Sequence, residues 1–482
     1  MIRKNFLKCG LPLLMVLLAM LAMTATPALA ASAWRPVGSP NFTVGGAVGD
    51  SLYVYNGTPY VLYSDSGGGL TVMEYTGGSW QPVGSPDFAN KGLYSSPYMY
   101  NGFDTSLYVD NGTPYVAYKD GTSLRAAVME YTGGSWQMVG GTPVSSAATV
   151  GESLYVYNGT PYLAYEDFAN EKATVMEYTG GSWQMVGGAP VSNPQAGNES
   201  LYVYNGTPYL AYQDGANGGK ATVIEYTGGS WQPVGSPSFS SGMAGNESLY
   251  VYNGAPYLAY YDSSNDVGPA VLMEYTGGSW QMVSSSCPGV DLSVSNGTPY
   301  VAYRDSGGLT VAEYTGGSWQ MVGGAPVSSG EAGDESLFVY NGTPYVAYSD
   351  GLFPSTGPAT VMECPVIKVD INGSPLQLDV APQIVNGRTL APLRAIFEAL
   401  GATVQWNPAD QSITAAKGNT TIKLQIGSTT ALNNGAQITL DAAPTIVNGR
   451  TLAPVRFVGE ALGAQVSWDA ANYQVNIVTA SP

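Results

Sequence analysis

The chain has 482 residues, 44% of them apolar and only 11% charged, with 17 Lys and Arg against 35 Asp and Glu for a net charge of −18. That apolar content builds large cores and excludes a disordered polyanion, while the acidic balance disfavours nucleic acid and anionic lipid as partners. Histidine is absent, which removes the commonest general base, the usual zinc and copper ligand, and every serine or cysteine triad that relies on imidazole.

Residues 1–30 carry Arg3, Lys4 and Lys8, an apolar run from Leu11 to Met23, and the small-residue end Ala28-Leu29-Ala30. They are expected to be a secretory signal peptide, with the exported chain starting near Ala31. Cys9 precedes the apolar run, so it does not sit where a lipidated cysteine would. Without the leader the balance is 14 basic (17 less 3) against 35 acidic residues, or −21. Cys287 and Cys364 are then the remaining cysteines, too few to staple a fold.

From Trp34 onward one unit recurs. Its third copy reads Glu152-Ser-Leu-Tyr-Val-Tyr-Asn-Gly-Thr-Pro-Tyr-Leu-Ala-Tyr-Glu-Asp167, then Ala173-Thr-Val-Met-Glu-Tyr-Thr-Gly-Gly-Ser-Trp183-Gln-Met-Val. Trp34, Trp80, Trp136, Trp183, Trp231, Trp280 and Trp319 mark the copies at spacings of 46, 56, 47, 48, 49 and 39. Periods near 40 to 50 with four short strands, joined by Asn-Gly and Thr-Gly-Gly turns, predict a mainly β fold: a seven-bladed β-propeller over residues 31–365. The last copy lacks its Gly-Gly-Ser-Trp strand after Cys364, so Trp34 to Gly38 is expected to supply it and close the ring. The Tyr, Trp and Met repeats read as packing between blades. The Asn-Gly-Thr triplets match an N-glycosylation acceptor only incidentally, being hairpin turns.

The interval from the strand a Leu to the Asp after strand b is 13 in every copy, from Leu52–Asp65 to Leu337–Asp350. The interval from Trp to the next strand a Leu instead runs from 12 (Trp280–Leu292) to 27 (Trp80–Leu107). Variable loops thus fall on one face, where binding is expected. The longest insertion makes Tyr94, Tyr98, Tyr100, Phe103 and Asp104 candidate ligand contacts, with a sugar as one possible ligand. Asp50, Glu152, Glu199, Glu247 and Glu335, which precede strand a in five copies, could face each other across the axis and hold calcium, which accepts oxygen ligands without histidine. The Asp after strand b in each copy reads better as an Asx turn.

Residues 366–482 carry a different repeat, in copies of about 366–427 and 428–482. Ile384-Val-Asn-Gly-Arg-Thr-Leu-Ala-Pro-Leu-Arg394 returns at an offset of 62 as Ile446 to Arg456, and Glu398-Ala-Leu-Gly-Ala with Trp406 returns as Glu460 to Ala464 with Trp468. Each copy predicts a hairpin on Asn372-Gly373 or Asn434-Gly435, a short helix opened by Pro392 or Pro454 and ended by Gly401 or Gly463, and strands around the Trp: a small duplicated α+β domain. Arg388, Arg394, Arg450 and Arg456 read as structural donors ahead of an anion site. This stretch resembles the copper amine oxidase N-terminal domain-like family, the stalk domain of secreted and surface proteins. The resemblance implies no copper chemistry, since the oxidase site needs three histidines in a separate domain. The propeller region looks like repeats of bacterial surface proteins.

Together these readings predict a secreted or cell-surface, non-enzymatic binding protein with a propeller head and a stalk. Cell-wall or extracellular polysaccharide or a surface protein is the expected partner. A glycan-binding lectin is the alternative, with a glycosidase or sialidase-like hydrolase behind it, because carboxylates alone can run that chemistry. No cofactor is expected unless calcium binds.

Overall fold

The computed structural model describes residues 34–43, 45–90, 105–265, 270–328, 330, 332–351, 357–378, 380–385, 388–447, 449–469 and 473–479. The expected signal peptide lies outside these residues. So does the insertion with Tyr94, Tyr98, Tyr100, Phe103 and Asp104.

The chain is mainly β. In the third copy the strands Thr149–Tyr157, Thr160–Asp167, Lys172–Thr179 and Ser182–Met185 pair consecutively and antiparallel; they are called a to d, from the inside outward. Among the described residues, seven sheets are built on this unit, with strands a beginning at Val48, Thr105, Thr149, Ala196, Ala244, Asp291 and Ala332. They are numbered one to seven in that order. The a–b turns are fixed by chemistry: Asn56, Asn111, Asn158, Asn205, Asn253, Asn296 and Asn341 hold φ between 48° and 51°, each followed by a glycine at positive φ. That pair of left-handed residues is what a type I′ hairpin requires.

Two sets of hydrogen bonds run from sheet to sheet. On the inside, the strand a Ser of one sheet accepts from the Leu backbone N–H of the next: Ser51 from Leu107, Ser106 from Leu154, Ser153 from Leu201, Ser200 from Leu249, Ser248 from Leu292 and Ser336 from Leu52. In sheet six Asp291 takes the serine's place and accepts from Leu337 at 2.6 Å. On the outside, each strand d Trp donates its indole N–H to the preceding sheet, as Trp80 does to the Val37 carbonyl at 2.8 Å. Six aromatics line the axis, Phe338, Tyr53, Tyr108, Tyr155, Tyr202 and Tyr250, with neighbouring centroids 4.6 to 5.0 Å apart; Ser293 stands at the sixth sheet's equivalent position.

The expected closure is present. Arg35 and Pro36 pair with Glu363 and Met362 as the outermost strand of sheet seven. Trp34 is buried and donates to the Val322 carbonyl at 3.0 Å. Cys287 and Cys364 are both free and buried.

The C-terminal copies interleave. Lys368–Ile371 of the first pairs in parallel with Gln474–Thr479 of the second, and Arg388–Pro392 pairs with Arg450–Pro454. Helices α1 (Leu393–Ala399) and α2 (Val455–Glu460) follow the two prolines as expected. Their buried faces, Leu393, Ile396 and Phe397 with Val455 and Val458, share one core with Ile413, Ile422 and Ile477. Arg35 connects the two regions: it pairs with Glu363 at 2.8 Å, and its guanidinium lies 4.4 Å from the Tyr473 ring centroid.

Candidate functional site

The carboxylates expected ahead of strand a lie inside it. Register shifts between Val150 and Ser153, Gly197 and Ser200, Gly245 and Ser248, and Gly333 and Ser336 mark a bulge in each strand. The residue before each glutamate is left-handed: Gly151 at φ 72°, Asn198 at 56°, Asn246 at 54° and Asp334 at 50°. A bulge of this kind re-aims the next side chain, and Glu152, Glu199 and Glu247 are buried. Asp50 occupies the same strand place, its side chain outside the described set.

These carboxyls differ in what meets them. Glu335 takes an ion pair from Arg304 of sheet six at 3.0 Å, and Glu152 accepts from the Thr149 hydroxyl at 2.6 Å. Neither carboxyl oxygen of Glu199 or Glu247 meets a hydrogen-bond partner among the described residues beyond its own backbone N–H. Where Arg304 stands in sheet six, sheet three presents Glu166 and sheet four Gln213, whose amide donates to the Ala244 carbonyl. Burial first, then negative Glu166, Glu247 and Glu152, push Glu199 well above the ordinary carboxylate range against its own backbone N–H. Burial raises Glu247 to about 8 and Glu166 to about 7, the latter with help from Glu171 and Asp167. Among the described residues no group of three or more Cys, Asp or Glu is placed to hold a metal ion. Five of the Asp residues after strand b, Asp65, Asp120, Asp167, Asp262 and Asp305, accept from the backbone N–H two residues on, the expected local turn.

A concave site lies elsewhere, on the outer rim between sheets five and six, where the repeat breaks. At the other six junctions strand d is followed at once by Val-Gly: Val37-Gly38, Val83-Gly84, Val139-Gly140, Val186-Gly187, Val234-Gly235 and Val322-Gly323. These glycines hold φ between 71° and 83°, which turns the chain across the next sheet's aromatic pair; a Cβ on Gly84 would stand 2.6 Å from the Tyr131 ring. The valine carbonyl accepts the next tryptophan's indole N–H at 2.8 to 3.1 Å. The residue eight past each tryptophan (Phe42, Phe88, Val144, Val191, Phe239 or Val327) then donates its N–H to its own sheet's strand c. Phe42, Phe88 and Phe239 also stack on Trp80, Trp136 and Trp280 at 4.1 to 4.5 Å.

Sheet five fails both requirements. Ser284 replaces the glycine, and Pro288, which has no N–H to donate, occupies the eighth position after Trp280. The strand therefore continues from Ser279 to Cys287, nine residues against four in its equivalents of sheets one to four and six, its register against strand c shifting on either side of Ser284. Trp319 of sheet six donates to the Ser284 hydroxyl at 3.1 Å and the Tyr314 hydroxyl to the Val283 carbonyl at 2.9 Å. The result is a cavity of about 540 Å³ lined by residues 282–286, Tyr314, Gly317, Ser318 and Trp319. Met282 is 59% exposed at its edge. The short Trp280–Leu292 interval is the trace this site leaves in the residue spacing. A second cavity, of about 760 Å³, lies between the C-terminal copies and includes Arg394, Trp406, Ile446 and Arg450.

The family profile of the copper amine oxidase N-terminal domain matches residues 370–477, which is the stretch that resembled it. A protease inhibitor of Brevibacillus choshinensis is 31% identical over 101 residues, 21% of this chain and 31% of that protein; the chain spans about a third of the length of this curated relative. Among solved structures, an Aleuria aurantia lectin mutant in complex with Fucalpha1-6GlcNAc is 15% identical with a TM-score of 0.39, covering 60% of this chain and 98% of that one. The polysaccharide lyase Uly1 is 11% identical with a TM-score of 0.44, covering 67% and 90%. A six-bladed β-propeller lectin of Aleuria aurantia is 14% identical with a TM-score of 0.39, covering 60% and 98%. Likeness at this distance bears on neither ligand nor blade number. Among the described residues no helix is long and apolar enough to cross a membrane.

Proposed function

We propose that this chain is an exported binding protein without catalytic activity, with a seven-bladed propeller as its head and the duplicated C-terminal domain as a stalk or attachment unit. The blade number is supported by the inner hydrogen bonds, which return from Ser336 to Leu52 after seven steps. One observation carries the binding role: a wall of near-identical junctions is opened at a single place among the described residues, and what lines the opening has aromatic, hydroxyl and thioether groups. No carboxylate, thiol or cation stands in that lining, so neither a general acid–base pair nor a strong nucleophile is at hand there. The partner is an extracellular or cell-wall polysaccharide or a surface protein.

The experiment is a screen of the purified chain without its leader against glycan arrays, isolated cell walls and surface-protein extracts, with product analysis of every bound polysaccharide. Retention of a partner that is recovered intact is the expected result. Cleavage of a bound polysaccharide would overturn the non-catalytic reading, and absence of retention on every surface would overturn the binding role itself.

A further inference from the structure

The residues around the opened junction are specific enough to name a ligand class. Tyr314 is the sole titratable side chain in the lining, beside four serines, Met282, Val283 and Trp319. An anionic ligand finds no cation there and approaches a chain of net charge −18; a cationic one finds no carboxylate. A neutral ligand rich in hydroxyls does fit. Ser285, Ser286 and Ser318 are exposed and each offers a donor and two acceptor positions. The Trp319 and Tyr314 rings, 5.2 Å apart at 62°, offer apolar faces of the kind that pack against the C–H face of a pyranose. The site also lacks what covers this tryptophan's face at three other junctions. Phe42, Phe88 and Phe239 come from the connection of the preceding sheet, and here that connection carries Pro288 instead.

The obvious rival is an extended peptide pairing with the edge of Ser279–Cys287. Tyr314 already holds the Val283 carbonyl, one of the groups such a strand would need, and the Gly317–Ser318 turn lines the opposite side of the cavity. The volume, about 540 Å³, lies in the range of small-molecule sites.

We infer that the junction between sheets five and six is a binding site for a neutral saccharide, one or two sugar rings in size, held between Trp319, Tyr314 and the serines of the lengthened strand. This rests on the binding role proposed above. The test is titration calorimetry of the whole exported chain with neutral methyl hexosides and N-acetylhexosamine disaccharides, with uronate-containing disaccharides and an uncharged extended peptide in parallel. Binding of at least one neutral saccharide is expected. It should weaken at least tenfold in Ser285→Arg, which places a bulky side chain at the mouth from an exposed position, and in Trp319→Phe, while Gln137→Arg on another sheet's strand d changes nothing. Thermal midpoints measured alongside separate loss of the site from loss of the fold, and Ser285→Arg should keep the wild-type value. Saccharide binding unaffected by Ser285→Arg overturns the location but leaves the protein a binder. Binding of the peptide or the uronates with no neutral saccharide bound overturns the ligand class.

Discussion

Glu199 and Glu247 are carried inward by a bulge that the alternating pattern of strand a gives no reason to expect, and their consequence is a pH dependence whose sign follows from their burial. Both have folded-state pKa values above the ordinary carboxylate value, so the folded chain keeps protons that the unfolded chain gives up. Their contribution to stability is therefore greatest below the unfolded carboxylate pKa, about 4.3, and is lost as pH rises toward and through the folded value, about 8 for Glu247. The thermal midpoint should fall between pH 6 and pH 8.5. Replacing both by Gln should flatten that slope and raise the midpoint at pH 8 by roughly 5 °C or more; an unchanged slope would mean the two carboxyls are already neutralised by something else. Calcium drawn in by Glu152, Glu199 and Glu247 is the competing proposal, and it makes a different demand. Calcium chloride added at pH 8 would then raise the wild-type midpoint and not that of the double Gln variant, whereas proton loading alone moves neither.

At the scale of elements, the hairpins were legible because an Asn-Gly pair carries its own backbone conformation: all seven asparagines sit within a few degrees of one another. The helices after Pro392 and Pro454 were legible for a similar reason, a start signal and an apolar face. The inner Ser–Leu bonds and the outer Trp–Val bonds were not, since each joins residues some 43 or more positions apart, and local pattern says nothing of what lies across a sheet junction. The open junction left a readable sign, Ser284 for glycine and Pro288 for an N–H donor, but it becomes meaningful only once the sealed junctions show what those positions do. The expected loop-face contacts at Tyr94 to Asp104 fall outside the described residues, and the rim cavity is a separate place. Restoring the seal tests this account. Ser284→Gly with Pro288→Val returns both the turn and the donor, so Trp319 should become less accessible to a soluble fluorescence quencher, and any saccharide binding at the junction should be lost with the midpoint unchanged or higher. A double variant that binds as before would mean that the lengthened strand is not what opens the site.

For the whole molecule, the decisive element is the two-residue strand Arg35–Pro36. Without Arg35–Pro36, sheet seven ends at Ala359–Glu363, whose backbone groups would face outward as an unpaired edge, the usual template for association between chains. The loss reaches further than the two paired residues. Trp34 is buried against the last sheet and bonds Val322; the Val37 N–H donates to the Val361 carbonyl, while its own carbonyl accepts from Trp80 of the first sheet. The segment thus ties sheet seven to sheet one as well as completing it. Arg35 adds its ion pair with Glu363 and its contact with Tyr473, but the guanidinium is partly exposed, and such pairs contribute about 1 kcal/mol or less. Trp34→Ala, which removes a buried aromatic, should cost roughly 3–5 kcal/mol and lower the midpoint by several degrees; Arg35→Ala should lower it by a few degrees at most. An exported chain starting at Ser39 should lose more than either and should elute from a sizing column as associated species at concentrations where the full chain is monodisperse. If that truncated chain keeps the full midpoint and the full chain's elution volume, the ring does not depend on the N-terminal strand, and the closure between Trp34 and Val322 contributes little to the fold.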